Sequence, residues 1–468
     1  MIGMAAVTMA VIACNVIEET TVLPQERLVE FTATILPPAA TRSTLNDNGD
    51  GSAAACWEVG DKIYLEYEQV GSGGARTGKA PATVKTVNPS TGAATITATL
   101  INPKNNGAAF IGYPFTPYNE GTADKIDLIQ EGTLADIIRN HVRMEASGEL
   151  HINGNSASLM WYSDMENKGC IWKLVIKNGG SNITSNVKKL NILINSYGYN
   201  TVYSVETSGK SAIYVALPHL QDVGITISAD TNSASYTMEE KPYITLVAGQ
   251  MYTSTVTLDT RNYPVNLADA IPADVGRPIG SDGKIYRNWN HAHQSLVNEP
   301  VAMVAFVKTN EEYTNCDHGL AISLTEPAPI PLSWSDITNS GQHLYEMNNN
   351  SANMYYISGY NTWRIPSLTD WQLMFKSCGG NDGTSTFTLF DETNPKLLDG
   401  ELFFGCGYLG TMIKAHGHSV KDFENEAYWA QTTRMGNVVK AYYNFTDNKF
   451  YEEATGNAQH LFRPCFPF

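Results

Sequence analysis

Alternating apolar and polar residues dominate the chain from Leu28 to about Leu258. In segment 62–68 every second residue is apolar, and successive residues of a β-strand point to opposite faces of the sheet. The pattern therefore predicts strands with one buried face. It recurs in segments 95–100, 170–176 and 189–194.

Short glycine- and asparagine-rich stretches separate these strands. They lie at 46–51, 71–74, 89–92 and 178–180. Many short strands divided by such turns are typical of β-sandwiches. The length of this region predicts two sandwiches, one at 28–155 and a second at 156–262.

Two helices interrupt the strand pattern. In segment 134–142, Leu134, Ile137, Ile138 and Val142 fall on one helical face. A second helix is predicted within 364–379. There Ser367 and Asp370 form a capping box, and Gly379 suits the C-terminal cap. Its apolar face comprises Trp371, Met374, Phe375 and Cys378.

Residues 263–468 have a different character, with frequent tryptophan and longer loops. The stretches 262–264 and 270–272 contain prolines and predict a connector ahead of this third domain. The whole chain is therefore predicted to be mainly β, with a domain of different character at its C-terminal end.

The net charge and the cysteine content argue against two kinds of function. The formal net charge is -16 and there is no basic block, so nucleic-acid binding is not predicted. The seven cysteines include no Cys-x-x-Cys pair, which argues against a zinc site, and no cofactor is predicted. Cys378, Cys406 and Cys465 allow either one disulfide or buried free thiols.

The first 14 residues are apolar or small and end at a cysteine. This run is too short to span a bilayer, which needs about 20 apolar residues. It matches the apolar region of a signal peptide instead. The segment 11–14, Val-Ile-Ala-Cys, resembles a bacterial lipobox. The resemblance implies a lipoprotein signal at 1–14, with a lipid on Cys14 that holds the precursor in the outer membrane.

Three features together resemble the fimbrillin pilus proteins of Bacteroidetes. The first is the lipobox, followed by Glu18 and Glu19. The second is an ordered series of motifs: Phe-Thr-Ala at 31–33, Thr-Arg-Ser-Thr at 41–44, and a Trp-x-x-Gly-Asp turn. The third is the strand-like segment 241–258. The turn residues are Trp57, Gly60 and Asp61. The resemblance implies two transthyretin-like pilin sandwiches.

The third domain resembles C-type-lectin-like and formylglycine-generating-enzyme-like folds. The segment 364–371, Arg-Ile-Pro-Ser-Leu-Thr-Asp-Trp, is similar to their core helix, and 427–433 is similar to a core strand. The motif residues are Trp363, Arg364, Pro366, Trp371 and Trp429. The resemblance implies an α+β fold for this domain, and on a pilus protein such a domain implies adhesion to a host protein or a glycan.

In the fimbrillin family an arginine-specific protease removes an N-terminal strand, and a strand from a neighbouring subunit replaces it. The resemblance implies a removable segment at 15–27 with cleavage after Arg27, or alternatively after Arg42. The physical basis is β-augmentation, in which an unpaired sheet edge binds an added strand.

No enzyme is predicted. The pairs His291/His293 and His416/His418 lack the H-E-x-x-H pattern, and no nucleophile or phosphate-loop motif is present. The leading hypothesis is a tip subunit of a cell-surface fimbria. Two alternatives stay open: a permanently lipid-anchored glycan-binding protein of the outer membrane, and an enzyme on a formylglycine-generating-like fold.

Overall fold

The computed structural model describes residues 27–35, 46–47, 53–54, 57–70, 76–113, 126, 129–141, 144–163, 166–196, 199–207, 209–295, 300–309, 316–328, 330–380, 399–403, 407, 409–414, 426–434, 437–455 and 457–468. Over these residues the fold is mainly β, as the alternation predicts. None of the described helices is long and apolar enough to cross a membrane.

The strands fall into three consecutive groups. The first group is β1 Leu28–Ile35, β2 Asn46–Asp47, β3 Ala53–Ala54, β4 Lys62–Gln69, β5 Arg76–Val87, β6 Ala94–Ile101, β7 Gly107–Tyr113, β8 Ile129–Gln130, β9 Met144–Asn153, β10 Ser156–Trp161 and β11 Glu166–Asn167. The second is β12 Gly169–Asn178, β13 Ser181–Asn182, β14 Lys189–Ser196, β15 Tyr199–Glu206, β16 Ile213–Pro218, β17 Leu220–Asp230, β18 Ser235–Thr237, β19 Lys241–Leu246, β20 Met251–Thr257 and β21 Asp259–Arg261. The third is β22 Val265–Asn266, β23 Pro278–Ile279, β24 Lys284–Ile285, β25 Ala302–Val307, β26 Gly319–Ser323, β27 Asp399–Phe403, β28 Ala427–Arg434, β29 Asn437–Asn444, β30 Lys449–Glu452 and β31 Cys465–Pro467.

Helices are short and few among the described residues. They are α1 Leu134–Asp136, α2 Trp289–Ser295, α3 Trp334–Thr338, α4 His343–Asn349, α5 Leu368–Ser377 and α6 Leu409–Lys414. A π-helix follows α1 at Ile137–His141, and 3₁₀ turns lie at Thr184–Asn186, Leu267–Asp269 and Pro272–Asp274.

The first sheet closes on itself. Its strand order is β10-β1-β6-β5-β4-β7-β9-β11, and β10 also pairs with β9. Seven strands thus form a barrel-like sandwich around a buried apolar core. The boundary predicted between residues 155 and 156 falls inside this barrel, because the turn at 154–155 joins the antiparallel strands β9 and β10.

The second unit is a sandwich of two sheets. One has the order β21-β18-β17-β14-β15-β8, with β19 also on β17, and the other pairs β12 with β13, β16 and β20. Its inward side chains are continuous with the apolar core of the barrel. The alternation predicted for segment 170–176 is present in β12, where Trp172, Leu174 and Ile176 are buried.

The third unit has a second apolar core, which Leu193 of β14 and Val202 of β15 also enter from the second sandwich. Two sheets, β22-β24-β23-β25-β26-β31 and β27-β30-β29-β28, pack with α5. Ser367 Oγ accepts the Asp370 amide at 3.0 Å, and the Asp370 carboxylate accepts the Ser367 amide at 2.8 Å. The predicted capping box is confirmed, and Trp371, Met374, Phe375 and Cys378 are buried as the apolar stripe indicates.

The helix predicted over 134–142 has an unexpected geometry. One α-helical turn, capped by Thr133, passes into the π-helix that ends at His141. His141 Nε2 lies 3.1 Å from Asp136 Oδ2, five residues earlier, and both side chains are buried. Burial alone raises the pKa of Asp136, but its hydrogen bonds with His141, the Glu131 amide and Asn140 outweigh that effect and lower the pKa.

Gln130 joins the first two units. It belongs to β8, which lies between the barrel strands β7 and β9 in the sequence but pairs with β15 of the second sandwich. Its side-chain amide accepts the Ala216 N–H and donates to the Ala216 carbonyl, both at 2.8 Å. The side chain therefore takes the place of a peptide group at the edge of β16.

Replacing Gln130 with alanine should destabilise this junction. The substitution leaves the buried amide and carbonyl of Ala216 without partners, at about 1–3 kcal/mol for an unsatisfied group. Gln69→Ala is the matched control, because Gln69 donates to the Ile101 carbonyl at an exposed site. Urea unfolding should show a lower midpoint for Q130A than for Q69A. Equal midpoints would contradict the bridging role.

Candidate functional site

The candidate site is the position that β1 occupies in the barrel. Buried and exposed residues alternate strictly along this strand. The buried side chains are Val29, Phe31, Ala33 and Ile35. The sequence Leu-Val-Glu-Phe-Thr-Ala-Thr-Ile thus places one apolar face in the core and one polar face in water.

Two neighbours hold β1. It pairs antiparallel with β6 over all eight residues, from Leu28 opposite Ile101 to Ile35 opposite Ala94. On its other side it pairs parallel with β10 only at Glu30 and Phe31. The Trp161 indole adds a bond to the Thr34 carbonyl at 3.1 Å. The β6 side therefore provides most of the backbone pairing.

The position of β1 between β6 and β10, called the slot from here on, has a defined side-chain pattern. Phe31 lies opposite Ala98 of β6 and Ala157 of β10, so the largest side chain of β1 faces two small neighbours. Ala33 lies opposite the larger Ile96. Complementary sizes across neighbouring strands fix the register of a sheet. A strand that replaces β1 must reproduce this order of large and small residues.

Arg27 anchors the start of β1. Its amide donates to Asn102 Oδ1 at 2.7 Å, and its carbonyl accepts the Asn102 amide at 2.8 Å. Its guanidinium donates to the Gly154 carbonyl at 2.6 Å. The side chain is nevertheless exposed. The predicted cleavage site thus lies directly at the edge of the barrel, one residue before the strand.

The predicted Trp-x-x-Gly-Asp motif forms the turn into β4. Trp57 is buried in the barrel core. The Asp61 carboxylate accepts the Glu58 amide at 2.9 Å, and the Gly60 amide donates to the Val84 carbonyl at 2.9 Å. Gly60 has φ of +101°, a conformation that favours glycine. The motif therefore forms a structural turn that is hydrogen-bonded to β5.

The motif residues of the third domain lie in and around its core. Arg364 donates to both oxygens of Asp370, at 3.2 and 2.8 Å, and thereby ties the segment before α5 to the first turn of α5. The Pro366 carbonyl accepts the amide of Gln431 in β28 at 3.0 Å. These contacts join the helix to the sheet.

The three tryptophans of this motif are buried and hydrogen-bonded. The Trp363 indole donates to the Tyr355 carbonyl at 2.9 Å and the Trp429 indole to the Leu332 carbonyl at 2.8 Å. Trp371 stacks on Phe375 and donates to the Trp429 carbonyl at 3.4 Å. All three serve packing, and none offers a free aromatic face to a ligand.

Several predicted residues lie outside the described part of the chain: Cys14, Arg42, Cys56, Cys406, His416 and His418. His291 and His293 are described and lie on α2. Among the described residues, no three histidine, cysteine or acidic side chains come together in a way that could hold a metal ion. Cys170, Cys316 and Cys465 are buried thiols, and burial raises the pKa of Cys316 to about 11.

Two surface pockets were not predicted from the sequence. One, of about 220 Å³, lies beside α4 and is lined by Gln342, His343, Glu346 and Tyr355, among others. The other, of about 190 Å³, lies between the second sandwich and the third domain and includes Arg261, Arg287 and His291. The pocket between the second sandwich and the third domain combines residues from 233 to 291, so no local sequence signal marks it.

Comparisons with known proteins give similarity only to solved structures. No family model matches the chain, and no curated protein matches it. The chain is similar to a fimbrial protein from Bacteroides ovatus at 12% identity and a TM-score of 0.25, over 95% of this chain and 100% of that one.

Two further similarities cover about half of the chain. The tip fimbrial protein Mfa3 from Porphyromonas gingivalis matches 49% of this chain and 95% of its own, at 10% identity and a TM-score of 0.25. A fimbrial assembly protein from Parabacteroides distasonis matches 49% and 92%, at 11% identity and a TM-score of 0.26. Identities and TM-scores this low carry no argument about function.

Truncating Phe31 should loosen β1 in the barrel. Phe31→Ala removes a fully buried ring and should lower the free energy of unfolding by about 3–5 kcal/mol. Thr32→Ala, on the exposed face of the same strand, should cost less than about 1 kcal/mol. Denaturant titration followed by tryptophan fluorescence measures both. Similar losses for the two variants would show that β1 does not close the core.

Proposed function

We propose that this chain is a subunit of a bacterial cell-surface pilus and that β1 is the strand exchanged during assembly. One observation carries the proposal. β1 is the first described strand, it is amphipathic, and it is inserted between β6 and β10 of a closed barrel. The sequence resemblance to fimbrillins supports the same mechanism.

The geometry makes β1 replaceable in physical terms. Its loss exposes the paired edge of β6 along eight residues and opens a slot above the barrel core. Unpaired backbone groups and exposed apolar surface are both costly, so an incoming strand is bound strongly. β10 keeps its pairing with β9 over six residues, which retains the opposite wall of the slot.

The two predicted cleavage sites have different consequences. A cut after Arg27 removes none of the described strands, because β1 begins at Leu28 and stays paired. Exchange of β1 requires a cut beyond Ile35. Arg42 is the first arginine after β1 in the sequence. We therefore assign the activating cut to the bond after Arg42, the second of the two predicted cleavage sites.

The remaining parts of the proposal concern location and adhesion. Lipid attachment at Cys14 holds the precursor in the outer membrane, and cleavage releases the subunit to the fimbria. The third domain, 263–468, contacts a host-protein or glycan ligand. Its last strand, β31, pairs with β26 and is engaged in its own sheet. This pairing is consistent with a subunit that accepts a strand at the pilus tip.

Blocking the cut at Arg42 should block assembly. When the purified precursor is mixed with a strand-donating stalk subunit and treated with an arginine-specific endoprotease, Arg42→Ala should retain β1 and stay unassembled, while Arg27→Ala should assemble like the unaltered chain. N-terminal sequencing of assembled material should begin at Ser43. Assembled subunits that begin at Leu28 would show that β1 is retained and would overturn strand exchange at this site.

A synthetic peptide provides the matched control for this experiment. A peptide with the sequence of β1 should occupy the emptied slot and stop assembly of the cleaved subunit. The same peptide with Phe31→Asp should have little effect, because a buried, unpaired carboxylate is strongly unfavourable. Equal inhibition by the two peptides would contradict the proposed slot.

The adhesive role predicts a measurable ligand. The full chain, labelled and applied to a glycan array and to an array of host surface proteins, should be retained by at least one class of ligand. The Phe31→Ala variant, altered far from 263–468 in sequence, should be retained equally under conditions where it is folded. Failure of the folded protein to bind on either array would refute the adhesive role without affecting the assembly mechanism.

A further inference from the structure

A cluster of charged residues lies where the second sandwich meets the third domain. Asp274 is fully buried and accepts hydrogen bonds from Arg261 Nε at 3.0 Å, from the Tyr263 hydroxyl and from the Ile271 amide at 2.9 Å. Arg261 Nη2 donates to the same carboxylate and, at 3.0 Å, to the Asp269 carbonyl, so the donors of Arg261 that remain for a ligand are those of Nη1.

The second carboxylate of the cluster is also engaged. Asp230, at the end of β17, accepts from Arg277 at 2.9 Å and from the Ser235 hydroxyl at 2.6 Å. Arg277 is itself buried and stacks over the Tyr263 ring, with its guanidinium carbon 4.6 Å from the ring centre. Asp230 and Asp274 thus balance Arg277 and Arg261.

Arg287 is a further cation of the cluster, in addition to Arg261 and Arg277. Its carbonyl accepts from Arg277 at 2.5 Å, so its backbone is held by the cluster. Its Nε is buried and has no hydrogen-bond partner among the described residues. Arg287 lines the pocket of about 190 Å³ together with Arg261 and His291. Burial, and then the charge of Arg287, lower the pKa of His291.

Most of the remaining pocket wall is polar, with Ala234 as an apolar member. Ser233, Thr260 and Asn262 contribute hydroxyl and amide groups that are suited to bonds with hydroxyls. One water occupies about 30 Å³ in the liquid, so the pocket has room for roughly six waters. This is more space than a bare sulfate or carboxylate group fills.

We propose that this pocket binds the carboxylate or sulfate group of an acidic sugar. Arg287 and the remaining donors of Arg261 bind the oxyanion, since guanidinium groups match its geometry and charge. The hydroxyl and amide side chains bind the sugar hydroxyls. The assignment to a sugar rests on the adhesive part of the proposed function, whereas the anion site rests on the cationic pocket alone.

The pocket beside α4 does not share this chemistry. It contains the carboxylate of Glu346, and no arginine or lysine lines it. An acidic ligand would be repelled there by the carboxylate. This difference makes the second pocket a useful internal control, since His343 in it can be replaced without altering the anion site.

Binding of small sugars by the full chain tests the proposal. N-acetylneuraminic acid and galactose 6-sulfate are the two acidic probes, and galactose is the neutral one. Calorimetry and saturation-transfer NMR should show at least one acidic probe binding at least tenfold more tightly than galactose. Rising salt should weaken that binding, because mobile ions screen the charges. The two acidic probes separate a carboxylate from a sulfate ligand.

Matched variants locate the site. Arg287→Gln should weaken binding of the acidic probe at least tenfold, and Arg287→Lys should retain an intermediate affinity because it keeps the charge. His343→Gln, in the other pocket, and Lys210→Gln, at an exposed site that does not line the pocket, should leave binding unchanged. Circular dichroism confirms that each variant is folded.

Two results would overturn the proposal. One is equal affinity for acidic and neutral probes, and the other is unchanged binding in the folded Arg287→Gln variant. Binding of inorganic sulfate without binding of either acidic sugar would also refute the sugar assignment. These results differ from failure of the adhesive role, in which the folded chain is retained by no ligand on either array.

Discussion

The pairing of β1 with β6 is the interaction on which the architecture of the first domain depends. It closes the barrel by joining β6 to β10, and it buries four alternating side chains in a core that continues into the second sandwich. A strand close to one end of the chain thus completes a structure formed mostly by later residues. This arrangement makes β1 a structural necessity of the barrel.

Polar side chains, and not apolar contacts alone, join the three units. Gln130 completes the edge of β16 at the first junction, and the carboxylates of Asp274 and Asp230 orient Arg261 and Arg277 at the second. Hydrogen bonds of this kind fix orientation more strictly than apolar packing does, because they depend on direction as well as distance. A pocket lined by residues of two domains requires such a fixed junction.

The local features of the fold could be predicted from the sequence with good accuracy. The period of two located β4, β6, β12 and β14, and the capping box located the start of α5, because each of these signals depends on neighbours within a few residues. The π-helix after α1 could not be predicted. Its five-residue spacing brings His141 to Asp136, and the apolar pattern alone did not distinguish it from an α-helix.

The sequence by itself determined which residues alternate, where the capping box of α5 lies, and which arginines flank the first strand. Only the tertiary structure decided that β10 belongs to the barrel, that a cut after Arg27 leaves β1 paired, and that Arg261, Arg287 and His291 share one pocket. The physical reason is the distance along the chain between the residues that interact. Strand propensity and capping depend on adjacent residues, whereas strand pairing, barrel closure and pocket composition depend on contacts between residues far apart in the chain.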